Sequence, residues 1–186
     1  MLTDLSAGTL AHLRKSRIEG IPWVEGQVHP AYGGTSILNL PASLASWLGA
    51  DPLPHLPLDL PGLDALGRDV RQVVTLLVDA LSFDRFVSWA EAEFAYWDRY
   101  ASDGLFAMLT SVVPSTTSSA LTTLWTGHSP AEHGMLGFEL FLREYGMLIN
   151  MITHTPVGLE HDPGLLYQAG FTPENALPVD TLGPRW

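Results

Sequence analysis

The 186-residue chain sets 9 lysines and arginines against 20 aspartates and glutamates, for a formal charge of −11, and 46% of its residues are hydrophobic while only 16% are charged. So much apolar material can build a core, which argues against disorder, and the negative charge repels polynucleotide backbones and anionic lipid surfaces, which sets nucleic-acid polymers and membranes aside as partners. There is no cysteine, so disulfides, thiolate metal sites and cysteine nucleophiles are excluded together, and any metal must sit on Asp, Glu, His or hydroxyl oxygen.

Residues 2–17 read as a short helix carrying the tight basic cluster His12-Leu13-Arg14-Lys15-Ser16-Arg17. This opening lacks the basic-then-apolar order of a secretion signal, and nowhere do about 18 apolar residues run together as a membrane helix requires. A cytoplasmic protein is expected. A second helix is predicted in SILNLPASLASWLG (36–49), with Ala42, Ser43 and Leu44 opening its regular part and Gly49 closing it. DPLPHLPLDLPG (51–62) carries four prolines and reads as an extended surface connector.

Seven of the fourteen prolines fall at or before Pro61 and seven at or after Pro114, and the window between them should hold the most regular structure. It opens on QVVTLLV (72–78), a continuous β-branched and leucine run of the kind found in strands buried on both faces. The run stops at Asp79. From Ser82 the period becomes helical, with Phe83, Phe86, Ala90, Phe94 and Trp97 at three- and four-residue steps. A second strand is predicted in LFAMLTSVV (105–113), then Pro114, then a helix over SSALTTLW (118–125) ending at Gly127. Strand, helix, strand, helix with short connections predicts an α/β fold with a mostly parallel sheet flanked by helices. In such sheets chemistry gathers at the carboxyl ends of the strands, where Asp79 and the hydroxyl cluster Ser115–Thr117 are both expected.

Asp79 has two readings: a cap or Asx turn introducing the helix at 82, or a metal ligand. The hydroxyl cluster, six serines and threonines in residues 115–122, is equally two-sided. One of Ser115, Thr116 and Thr117 can cap the next helix. A threonine in the first turn also faces free backbone N–H groups and the positive end of the helix dipole, a setting suited to phosphate and, with a divalent metal, to nucleophilic attack. SPAEHG (129–134) is a capping box: Ser129 as N-cap, Pro130 first, Glu132 third and Gly134 closing one turn, which favours His133 as a positioned structural histidine over a metal ligand. The other histidines show no HExxH-like spacing, and His161-Asp162 falls in a loop before Pro163. The serines lack the glycine framing of a nucleophile elbow, so a metal-free serine or threonine hydrolase is a poorer reading.

Taken together, VVTLLV followed by Asp79, then PSTT (114–117), then TGHSPAEHG (126–134) resemble the alkaline phosphatase superfamily, most closely its type I phosphodiesterase/nucleotide pyrophosphatase branch. Pro114 is followed at the third position by Thr117, and Thr126 to Gly134 reproduce TG-x-x-P-x-x-HG in register. The resemblance implies an alkaline phosphatase-like α/β domain and a hydrolase of small-molecule phosphate esters with two divalent metals, Zn2+ or also Mn2+, working by in-line displacement. Asp79 would bind a metal, and Thr117 would be both metal ligand and nucleophile, forming a phosphothreonine. Where nucleotide pyrophosphatases carry a phosphate-binding asparagine, the matching position here is Phe138.

The resemblance runs over residues 68–186, leaving 1–67 as a helical and proline-rich N-terminal segment, and it corresponds to the first half of a domain usually twice as long. The family's further ligands include an adjacent Asp-His pair, which the sequence lacks. A truncated or split protein is therefore expected, its site completed by a second chain or a homo-oligomer. The alternative is a catalytically incomplete α/β domain acting as an interaction or oligomerisation module, a role that six Trp, five Tyr and seven Phe would suit.

Overall fold

The computed structural model describes residues 3–93, 104–159, 161–162, 164–172 and 176–185. The chain separates into two compact units, residues 1–110 and 111–186.

The first unit opens with β1 (Thr3–Asp4) and α1 (Ser6–Leu13). The Asp4 carboxylate accepts the Ser6 N–H at 2.8 Å, turning the chain from strand into helix. Bonds from the Ser6 hydroxyl and backbone hold its pKa below the usual value. The helix is shorter than the expected 2–17. Leu13 is its last buried anchor, Arg14, Lys15 and Arg17 are exposed, and the amides of Lys15 and Ser16 fold back onto the His12 carbonyl. With no apolar side chain to seat a further turn, packing no longer supports it.

The helix predicted in 36–49 forms as a single 3-10 turn, Ile37–Asn39, running into α2 (Leu40–Leu48), with Pro41 in the first turn and Gly49 closing it at φ 67°. Asn39, fully buried, organises this region. Its Oδ1 accepts the Ser36 N–H at 3.0 Å, and its Nδ2 donates to the carbonyls of Tyr32 and Leu56 at 2.9 Å each. Ser43 Oγ accepts the Leu58 N–H at 2.8 Å, so the proline-rich connector 51–62 has no regular structure of its own yet is held to α2 by side-chain bonds. It is also held by Asp59 N–H donating to the Gly34 carbonyl at 2.8 Å. Gly34 sits at φ 136°, and a Cβ there would lie 2.7 Å from Asp59 Cβ, so no larger residue fits. A one-turn helix, α3 (Leu63–Leu66), follows.

Residues 72–78 depart from the expectation of a buried strand. They form neither helix nor strand, and Val74 is 93% and Leu76 86% exposed. A strand apolar on both faces needs partners on both edges and layers above and below, and among the described residues none pairs with this run. Ser82 then caps α4 (Phe83–Glu93), accepting the Arg85 N–H at 3.4 Å. Phe83 and Phe86 pack on the Phe106 ring at centroid distances of 5.6 and 5.8 Å, as the helical period requires, while Phe94 and Trp97 lie outside the described residues.

The strand predicted over 105–113 contracts to β2 (Leu105–Phe106), parallel to β1 with Thr3 opposite Leu105, and an isolated parallel bridge between Ser36 and Thr110. The ladder breaks because the Met108 N–H is taken by Thr9 Oγ1 at 3.0 Å, after which Thr110 exchanges backbone bonds with Thr35 and Ile37 instead.

The second unit holds α5 (Thr117–Thr126), α6 (Pro130–His133), β3 (Glu139–Leu142), β4 (Met147–Asn150), β5 (Thr155–Pro156), α7 (Leu165–Gln168) and a 3-10 turn at Gly183–Arg185. β3, β4 and β5 form an antiparallel sheet in that order, with Leu140 opposite Ile149. Its core is Met135, Ile149, Met151, Leu166 and Phe171, with Tyr145 edge-on to Phe171 at 5.9 Å. The chain is thus α/β with a short parallel sheet, but the expected mostly parallel sheet is corrected: the longest pairing among the described residues is antiparallel. The cause is the tight turn at 143–146, with Gly146 at φ 63°, which is far too short for the crossover that parallel neighbours need. Among the described residues no helix is long and apolar enough to cross a membrane.

Candidate functional site

The hydroxyl cluster divides its labour by position. Thr116, in extended conformation, is the N-cap of α5: its Oγ1 accepts the Ser119 N–H at 3.3 Å and donates to the Leu136 carbonyl at 3.3 Å. Capping therefore falls to Thr116, and Thr117 becomes the first helical residue with an exposed side chain. There it lies at the positive end of a ten-residue helix. No lysine or arginine occurs between Arg99 and Arg143, so within this stretch the helix terminus is the main source of positive potential.

The face of α5 that turns inward is polar. Ser119, Thr123 and Thr126 are buried, as is Ser118, and the Ser118 and Ser119 hydroxyls have no hydrogen-bond partner among the described residues. Thr126 Oγ1 donates back to the Thr122 carbonyl at 2.7 Å and accepts the His128 N–H at 3.2 Å, and Gly127 ends the helix at φ 70°. The next turn is the expected capping box in full. Glu132 Oε2 accepts from both the Ser129 N–H at 2.7 Å and the Ser129 hydroxyl at 2.6 Å, and Gly134 closes α6 at φ 73°.

His133 couples the two helices. It is 1% exposed, and its Nδ1 accepts the Met135 N–H at 3.0 Å, which leaves the proton on Nε2, 3.1 Å from Thr123 Oγ1. The ring is therefore neutral and donates to Thr123. Burial pushes its pKa below 6.5, and neighbouring His128 pushes the same way, while Glu132 and the Ser119 backbone oppose the shift. The structural role read from the sequence matches this geometry. Thr123 as its partner was not legible, because a buried threonine ten residues away carries no signal of its own.

Asp79 lies in the first unit and Thr117 in the second. The Asp79 carboxylate accepts the N–H of Ala80 at 2.8 Å, and Ala80 sits at φ 58°, so Asp79 belongs to the turn ahead of α4 while Ser82 provides the cap. The strand whose end was to present Asp79 is not formed. Elsewhere, the His154 ring packs on Phe171 at 5.2 Å, and His161 and Asp162 are exposed. Among the described residues no three of His, Asp and Glu gather where they could hold a metal ion. The described donors do not by themselves fit a metal centre.

Residues 73–162 match the family model of type I phosphodiesterase / nucleotide pyrophosphatase. The matched span includes Asp79, Thr117 and the whole of TGHSPAEHG. No curated protein and no solved structure matches the chain.

Proposed function

Because residues 73–162 match the family model of type I phosphodiesterase / nucleotide pyrophosphatase, we propose that the protein is a metal-dependent hydrolase of small-molecule phosphate esters with Thr117 as its nucleophile. One observation supports this more than any other: Thr116 performs the capping, so that Thr117 sits exposed in the first turn of α5 rather than being used to close it. In the proposed reaction Thr117 Oγ1 attacks phosphorus in line. The new O–P bond forms as the ester P–O bond breaks, and the leaving alkoxide takes up a proton equivalent to the one the hydroxyl gives away. Water then cleaves the phosphothreonine by a second displacement. Helix amides at the start of α5 face the non-bridging oxygens and offset part of their charge.

Divalent metal, zinc or manganese, enters the proposal through the family resemblance, with Asp79 and Thr117 as its ligands from this chain. The described residues assemble no centre for it, and the adjacent Asp-His pair among the family's further ligands has no counterpart in the sequence. The proposal takes those ligands from another polypeptide segment. At the position of the family's phosphate-binding asparagine stands Phe138, half exposed, with its carbonyl accepting the Met151 N–H at 2.7 Å. Simple phosphodiesters are accordingly better candidate substrates than nucleotides.

Turnover of bis-p-nitrophenyl phosphate with zinc or manganese added is the test. Wild type should turn over and Thr117→Ala should lose at least about 100-fold, as removal of a covalent nucleophile does; activity indifferent to that change refutes the role of Thr117. A second reading, a catalytically incomplete α/β domain serving as an interaction module, is favoured by the absence of a metal cluster among the described residues. Two equivalents of tightly bound zinc in the purified protein would exclude it.

A further inference from the structure

The run 71–79, Arg-Gln-Val-Val-Thr-Leu-Leu-Val-Asp, is the most exposed apolar sequence described in the molecule. Val74, Leu76, Leu77 and Val78 are 93%, 86%, 54% and 57% exposed. Among the described residues, no amide or carbonyl from 72 to 78 is used in a backbone hydrogen bond. Unpaired backbone beside β-branched and leucine side chains is a template for another strand.

The sequence of the run also indicates which strand. Laid antiparallel against itself about Thr75, it places Thr75 opposite Thr75, Val74 opposite Leu76, Val73 opposite Leu77, and Arg71 opposite Asp79 at both ends. Apolar, threonine–threonine and opposite-charge cross-strand pairs are the favourable kinds. A copy laid parallel and in register would instead place Arg71 on Arg71 and Asp79 on Asp79. The pairing obeys a two-fold axis, so each copy presents the same surface to the other and the contact closes on itself.

We propose that a second copy of this chain docks through residues 71–79, forming an antiparallel two-stranded ladder centred on Thr75. The proposal goes beyond the hydrolase reading and is tested apart from it, on metal-free protein without substrate, because the Asp79 carboxylate cannot hold a metal and pair with Arg71 of the other copy at once.

The absence of cysteine makes a direct test possible. Across an antiparallel pair the two central Cα atoms are about 4.5–5.5 Å apart, within disulfide reach. Thr75→Cys should therefore form a disulfide-linked dimer under mild oxidation. Val73→Cys, whose partner would be Leu77, should not. By sedimentation the wild type should show a concentration-dependent dimer, and Leu76→Lys should raise its dissociation constant by about tenfold or more. Arg71→Asp alone should weaken the dimer, and Arg71→Asp combined with Asp79→Arg should restore it. Circular dichroism matching wild type for each variant separates lost association from lost folding. A chain that stays monomeric at every concentration overturns the proposal. So does a monomer captured at this run by a different polypeptide, an open-ended polymer, or cross-linking at Val73→Cys instead of Thr75→Cys.

Discussion

Residues 112–134 and residues 73–78 lie in the same family-matched span, yet they behave in opposite ways. In the first, every turn ends where its own residues say it should: Thr116 caps α5, Gly127 closes it, Ser129 and Glu132 box α6, and Gly134 ends it. In the second, six successive β-branched and leucine residues form no strand, and all but the half-buried Val73 are exposed. Caps, boxes and left-handed glycines are satisfied by atoms a few residues away. A strand's hydrogen bonds are all non-local, so its sequence states a need that only another strand can meet.

The contrast can be strained from both sides. The largest effect should come from His133→Ala, which empties a buried site and leaves the Met135 N–H and Thr123 hydroxyl unpaired; a loss of about 3 kcal/mol in urea unfolding is expected. Acid should act on the same residue. With its folded pKa below the ordinary 6.5, the unfolded chain binds the proton more readily, so the stability contributed by neutral His133 is complete above about pH 6.5 and is lost as pH falls through the lowered folded value. His133→Asn should flatten that part of the pH–stability curve, and an unchanged slope would mean another group titrates. Thr116→Ala, removing the α5 cap, should cost about 1 kcal/mol. Smallest of all, Leu76→Ser should change unfolding stability of dilute, unassociated protein by no more than about 0.5 kcal/mol, because the side chain is already in water. A large loss there would show that the run is buried after all and would erase the contrast.

What the sequence made legible follows the same line. The helix in 36–49, the proline-rich connector, the helix after Ser82 and both glycine-closed helices were readable because short-range chemistry specifies them. The antiparallel hairpin of β3 and β4 is not legible, because Phe141 and Leu148 stand on its exposed face, so that 140–142 and 147–149 read as continuous apolar runs with no two-residue period. β2 was overextended because nothing local in LFAMLTSVV announces that Thr9, 99 residues away, will claim the Met108 amide. The motif spacing singles out Thr117, and in the structure it differs from its neighbours in exposure and bonding: Thr116 is held by Leu136 and Ser119, and Ser118 and Ser119 turn inward. Asp79 was singled out as the end of a strand, and in the structure it belongs to a turn.

The central claim is that Thr117, and no neighbouring hydroxyl, takes the phosphoryl group. Acid-quenching the protein during reaction with a phosphodiester in the presence of zinc, followed by peptide mass spectrometry, tests it most directly. The account predicts a covalent phosphoryl adduct on Thr117 that disappears in Thr117→Ala together with turnover. An adduct on Ser115 or Thr116, or turnover that continues in Thr117→Ala, would contradict it.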